Sequence, residues 1–175
     1  MSDQPGKSGS QKKITLGSEK LKTFFINHLN RIYFAKAHLV NRLPQLKDEV
    51  YFNDLQLAIK ETVEDVEKQM ARMEVIYELL DAQISKGSIN GLIGLVDDAF
   101  EAIREQSGEA ELRDMSIIFY LQNIESVEMA SFQVLQMAAV KLKNRQIKQL
   151  LKENYDEAKA DRTLLLLIAA KYITK

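Results

Sequence analysis

The sequence predicts an all-α protein, four long helices and one short one packed as a bundle, and three observations predict it. Two Pro and seven Gly in 175 residues are too few for the turn-rich chain of a β-sandwich or barrel. Apolar residues recur at alternating spacings of four and three along four long segments, the period of one buried helix stripe. The stretch from Ser85 to Gly108, rich in glycine, separates two such segments from the other two.

In the first segment, Ser18 followed by Glu19 reads as an N-cap, and Pro44 ends a helix running from about Glu19 to Leu43. Its stripe is Phe25, Leu29, Ile32, Lys36, Leu39 and Leu43. Asn53 and Asp54 are cap candidates for a second helix reaching about Ile84, with the stripe Ile59, Val63, Val66, Met70, Met73, Tyr77, Leu80 and Ile84. A short amphipathic segment follows from about Leu92 to Gln106, with Leu92, Leu95, Val96, Ala99 and Ile103 on one face. The third long helix, about Glu109 to Lys143, carries Ile118, Leu121, Glu125, Glu128, Phe132, Leu135, Ala139 and Leu142. The last, from Asn144 or Arg145 to about Ile173, carries Ile147, Leu151, Asn154, Ala158, Asp161, Leu165, Ile168 and Tyr172. Helices about 37 to 52 Å long must lie side by side to bury such stripes. Short links make the first and last pairs antiparallel, and the long middle segment is a crossover, the arrangement of ferritin-like bundles.

Composition removes several function classes. With no Cys there is no disulfide, zinc–thiolate site, iron–sulfur cluster or thiol nucleophile. His28 and His38 are the only imidazoles, and ten residues apart on one helix they point about 80° apart, so they do not share a metal. The glycines of the crossover lack the G-K-S/T of a phosphate loop. No small-molecule substrate is identifiable. Net charge is −1, but residues 1–47 hold nine Lys/Arg against two Asp/Glu, so the leading segment is basic and the remainder acidic. A solvated basic face is the simpler reading of this asymmetry than an acidic partner, and nucleic acid is not expected as one. Residues 1–17 read as a disordered polar tail and 18–175 as the bundle domain. No secretory signal or membrane span is recognisable, so a cytoplasmic location is expected.

The stripes are apolar except at one level. Lys36 interrupts the first helix, Glu125 and Glu128 the third, and Asn154 and Asp161 the fourth, on either side of Ala158. Glu64 and Glu67 lie one position off the second stripe, on a flank toward a neighbour. A carboxylate pair at i, i+3 on one helix face is the geometry with which bundles hold two cations. Buried charges cost several kcal/mol unless paired, neutralised or bound to a cation. One lysine cannot neutralise all of these acids.

These residues carry a resemblance. Ile32-Tyr33-Phe34-Ala35-Lys36 with Leu39, Leu43 and Pro44 resembles the first-helix signature I/L-Y-x-A-E of the YciE/YciF family of ferritin-like proteins. The segment from Asn123 to Phe132, N-I-E-S-V-E-M-A-S-F, is similar to that family's K-V-E-H-Y-E-I-A-S-Y, and Leu112-Arg113-Asp114 to its V-R-D. Gly91-Leu92-Ile93 and Leu150-Leu151-Lys152-Glu153 add weaker matches. The resemblance implies a four-helix bundle with a crossover helix, usually dimeric, tied to bacterial stress responses and bearing a di-iron-type carboxylate site. It implies no assigned reaction.

The chain departs from the pattern at the ligands. Lys36 replaces the first-helix glutamate, Ser126 a histidine and Ala158 a fourth-helix glutamate, while Thr62 and Glu67 stand where second-helix histidines are implied. An ammonium inside a dicationic site repels the metals and can take the place of one. The reading is therefore a vestigial layer of Glu64, Glu67, Glu125, Glu128 and Asp161, with Lys36 as internal counter-charge paired to Glu125 and a neighbouring carboxylate. No cofactor is expected, and the protein is read as a non-catalytic structural or interaction-mediating homodimer. The alternative is an iron-binding protein or oxidoreductase that uses the surviving carboxylates with iron or another divalent cation.

Overall fold

The computed structural model describes residues 15–46, 48–85 and 90–174. Five α-helices carry the chain: α1 Ser18–Arg42, α2 Asn53–Leu79, α3 Asn90–Glu105, α4 Ala110–Lys141 and α5 Arg145–Ile173, with a 3₁₀ turn Leu43–Leu46 after α1. The tail expected over residues 1–17, with Lys7, Lys12 and Lys13, lies up to residue 14 outside the described residues, as does Gly87 of the crossover.

Helices α1, α2, α5 and α4 form a square in which each packs on the next, and α3 lies against α1 and α4. Phe25, Leu29 and Ile32 share one apolar cluster with Met73, Tyr77, Phe132, Leu135, Ile147 and Leu151. Leu39 and Leu43 share another with Leu55, Ile59, Ile117, Leu121, Leu165 and Ile168. Every adjacent pair around the square is therefore antiparallel. Helix α2 ends at one end of the bundle and α4 begins at the other, so α3 returns the chain along its length. Its Leu92 packs on the first cluster and its Val96, Phe100 and Ile103 join the second.

Helix ends depart from the sequence expectation for physical reasons. Gly17, not Ser18, is the N-cap of α1, and no side chain caps it. Phe52 is the N-cap of α2 rather than Asn53 or Asp54. Its cap comes from another helix: Asp114 Oδ2 accepts from the Tyr51 and Phe52 amides at 2.8 and 2.6 Å. The second helix stops at Leu79, five residues short of Ile84, because Asp81 turns left-handed at φ 47°. The Asp81 amide donates to Glu78 O and the Ala82 amide to Tyr77 O, the Schellman pattern that closes a helix. Asn144 caps α5, its side chain accepting from the Ile147 amide at 3.0 Å, as a cap residue there should.

Candidate functional site

The mid-bundle level that separates the two apolar clusters is polar. The 3–4 stripe of α1 turns Lys36 inward as surely as Ile32 and Leu39, and its side chain has no exposed surface. Glu125, Glu128, Asn154 and Asp161 are buried with it on α4 and α5. On α2 the inward positions are Thr62 and Gln69, both buried. Glu64 and Glu67 are exposed, outside the layer, and Glu64 lies 3.9 Å from Lys60 on the surface. The expected stripe Ile59, Val63, Val66, Met70 is shifted toward Ile59, Thr62, Val66, Gln69, Met73, Ile76, which keeps the same alternating spacing. Val63 and Met70 are half-buried. Thr62 and Gln69 were legible as an alternative register; apolar preference alone passes over it, because it admits two polar residues.

The Lys36 ammonium donates to Gln69 Oε1 and Glu128 Oε2, and lies 5.4 Å from the centre of the Phe132 ring. Of the expected partners, Glu125 and a neighbouring carboxylate, the neighbour takes the ion pair: it is Glu128, one turn along α4, and Glu125 receives no hydrogen bond from Lys36. Both oxygens of Glu125, Asp161 Oδ2 and Gln69 Nε2 have no hydrogen-bond partner. Asn154 donates to the Gln69 carbonyl at 3.2 Å, and its Oδ1 accepts from Arg72 at 3.3 Å. Arg72 also grips both carboxylate oxygens of Glu157, at 2.7 and 2.6 Å, a bidentate clamp from α2 to α5.

The electrostatics follow from one ammonium among several acids. Burial pushes the Glu125 carboxyl well above the usual carboxylate range, with Glu128 and then Asp161 adding to it against the pull of Lys36. Asp161 is pushed up to about 7, first by burial and then by Asp65 and Glu61, again opposed by Lys36. Asp65, the half-buried α2 carboxylate one position beyond Glu64, and Glu61 are thus the acids that act on Asp161 from α2, Asp65 the more strongly. The layer therefore holds one ion pair and two acids held above the usual carboxylate range, Asp161 at about 7.

A di-iron-type centre is what the resemblance implies, and these residues do not fit it. Among the described residues no group of three or more His, Cys, Asp or Glu side chains is placed to hold a metal ion. Ala158, fully buried, offers no donor, and the Lys36 ammonium sits on the carboxylate that a cation would need. A cavity of about 10 Å³ lined by Ile32, Leu92, Val96 and Glu128 reaches the layer, room for about one water molecule rather than a substrate. His28 and His38 stay apart: His28 packs at a tilt of 52° against Phe24, and His38 Nε2 lies 2.7 Å from Asp97 Oδ1, joining α1 to α3.

Comparison with known proteins agrees with this fold. The model of a family described as Domain of unknown function (DUF892) matches residues 20–175. The chain belongs to this family. Protein YciF of Escherichia coli (strain K12) is 27% identical over 161 residues, 91% of this chain and 96% of that protein. The structure of the E. coli stress protein YciF superposes with a TM-score of 0.83 at 28% identity, covering 89% of this chain and 98% of that one. YcfI from Rhodopseudomonas palustris gives a TM-score of 0.77 at 25% identity over 89% and 96% of the two chains. The DUF892 match begins two residues into α1 and so spans all five helices.

Proposed function

We propose that this DUF892 chain is a non-catalytic, stress-associated structural or interaction protein, whose ferritin-like bundle carries an internal Lys–Glu pair in place of a dinuclear metal centre. The observation that carries the reading is the Lys36 ammonium held between Gln69 and Glu128 at the centre of the bundle. An ammonium there supplies one positive charge and occupies the volume a cation would take, with no redox chemistry and no open coordination position. The reading extends to a cytoplasmic homodimer without a small-molecule substrate, and the stress link rests on the likeness to YciF.

Iron titration of the purified chain tests the core of it. The expected result is no tight uptake of iron and no oxo-bridged absorption band, whereas two tightly bound equivalents per chain would overturn the reading. The double substitution Lys36→Glu with Ala158→Glu returns two carboxylates to the layer and should raise metal uptake; equal uptake by parent and variant would refute descent of the layer from a metal site. One observation favours a second reading, a single divalent cation held by Glu125 and Asp161: three of their oxygens lack partners. One equivalent bound by the parent and lost in Glu125→Gln would select it.

A further inference from the structure

Helix α3, at 16 residues, is about 24 Å long and cannot cover the whole groove between α1 and α4, whose 25 and 32 residues span about 37 and 48 Å. It covers the end nearer Arg42, whose guanidinium lies 4.6 Å from the centre of the Phe100 ring. Beyond Leu92 the groove is open, and there it forms a cleft of about 470 Å³, a volume usual for a small-molecule site. Phe24, His28 and Arg31, the stripe of α1 beside its buried one, make one wall, and Val127, Ala130 and Val134 of α4 the other. Ile32 and Leu135, both buried, form the floor.

The cleft is apolar, with its charge confined to one edge. Among the described residues no carboxylate lines it, and the Ser131 hydroxyl already donates to the Val127 carbonyl at 2.8 Å. The polar groups left are the His28 imidazole and the exposed Arg31 guanidinium, which among the described residues has no hydrogen-bond or ion-pair partner. An arginine lays its methylenes along an apolar wall and keeps its head in water, so Arg31 presents a cation at the rim. Burial, and then Arg31, lower the pKa of His28 from its ordinary value of 6.5, so at neutral pH its ring is uncharged and offers a hydrogen bond rather than a second cation. From Phe24 to Arg31 the helix rises about 10 Å, the length of a medium alkyl chain, whereas a protein partner would need a face of about 800 Å².

We propose that this cleft binds a single-chain amphipathic carboxylate, its alkyl chain seated between α1 and α4 and its head group on Arg31. The cleft shares Ile32, Leu92 and Val127 with the small cavity that reaches Glu128, so a seated chain caps the way from solvent to the polar layer. The occupant is a ligand rather than a substrate, in keeping with the non-catalytic reading. Iron titration leaves it unaffected, so the two can fail separately.

Titration of the full chain with decanoate tests it, read by the imidazole NMR signals of its two histidines. The His28 signals should shift and saturate with a dissociation constant on the order of 100 µM, while those of His38, held on Asp97, should stay in place. Arg31→Gln should weaken binding about tenfold. Ala130→Phe, which fills the cleft from an exposed position, should abolish it with helical circular dichroism unchanged. Decyltrimethylammonium, of the same chain length and opposite charge, should bind about tenfold more weakly or not at all. No saturable shift at His28, indifference to Arg31→Gln, equal binding of the cation, or full binding by the Ala130→Phe variant would each overturn the proposal. Sedimentation of the chain with phosphatidylglycerol vesicles in the absence of decanoate binding would also overturn it, and would assign the cleft to a membrane surface instead.

Discussion

Lys36 and Glu128 meet where water cannot screen them, and removing one partner strands the other. Lys36→Met should cost about 3 to 5 kcal/mol in denaturant unfolding at pH 7, the usual consequence of an uncompensated buried charge. Adding Glu128→Gln should recover much of that loss; failure to recover would show that Lys36 acts through packing rather than charge. Asp161 makes the opposite kind of contribution. Its carboxyl is raised to about 7 in the fold from an unfolded value near 4, so the native state binds more protons than the unfolded state between those values. Stability from this group is therefore full below pH 4, falls as pH rises toward 7, and stays low above it. The difference in unfolding free energy between the parent and Asp161→Asn should grow across that window in favour of the variant. A flat difference would remove Asp161 from the buried layer.

Among the helices, the clearest departures are at termini, where tertiary partners replace local ones. Asp114 is fully buried and accepts from two amides that α2 would otherwise leave unpaired, while Arg113 donates to the Glu49 carbonyl. The Arg113-Asp114 pair thus clamps the α1–α2 connection onto the start of α4. Asp114→Ala should cost about 2 to 3 kcal/mol, with faster amide exchange in the first turn of α2 than in its middle. Asp81 and Lys143 hold left-handed backbones at φ 47° and 58°, a conformation that glycine adopts without a Cβ penalty. Asp81→Gly should raise stability by about 0.5 to 1 kcal/mol in thermal unfolding, and a loss would mean that its carboxylate does more than close the helix.

At the scale of the molecule, two apolar clusters carry the packing and one polar layer lies between them. A layer with several unpartnered polar atoms does not stabilise the bundle, so exchanging Lys36, Glu125 and Glu128 together for Met and Leu should raise stability by about 1 to 4 kcal/mol. A large loss in that triple variant would show that the layer is required for folding. No helix of the described residues is long and apolar enough to cross a membrane.

The spacing of apolar residues determined the helices, their order and the inward side of α1, α4 and α5, because burial of a stripe is dictated residue by residue: Phe25, Leu29, Ile32, Lys36, Leu39 and Leu43 are all buried. The same rule placed Lys36 inside although it is charged. On α2 two registers satisfy the spacing, and only packing against α1 and α5 chose the one that turns Gln69 inward and leaves Glu64 and Glu67 in water. The tertiary structure alone decided that Lys36 meets Glu128 rather than Glu125, since a one-turn difference along α4 depends on the height at which two helices pack. The stripe of a helix specifies what it buries, and the packed neighbours decide what each buried group touches.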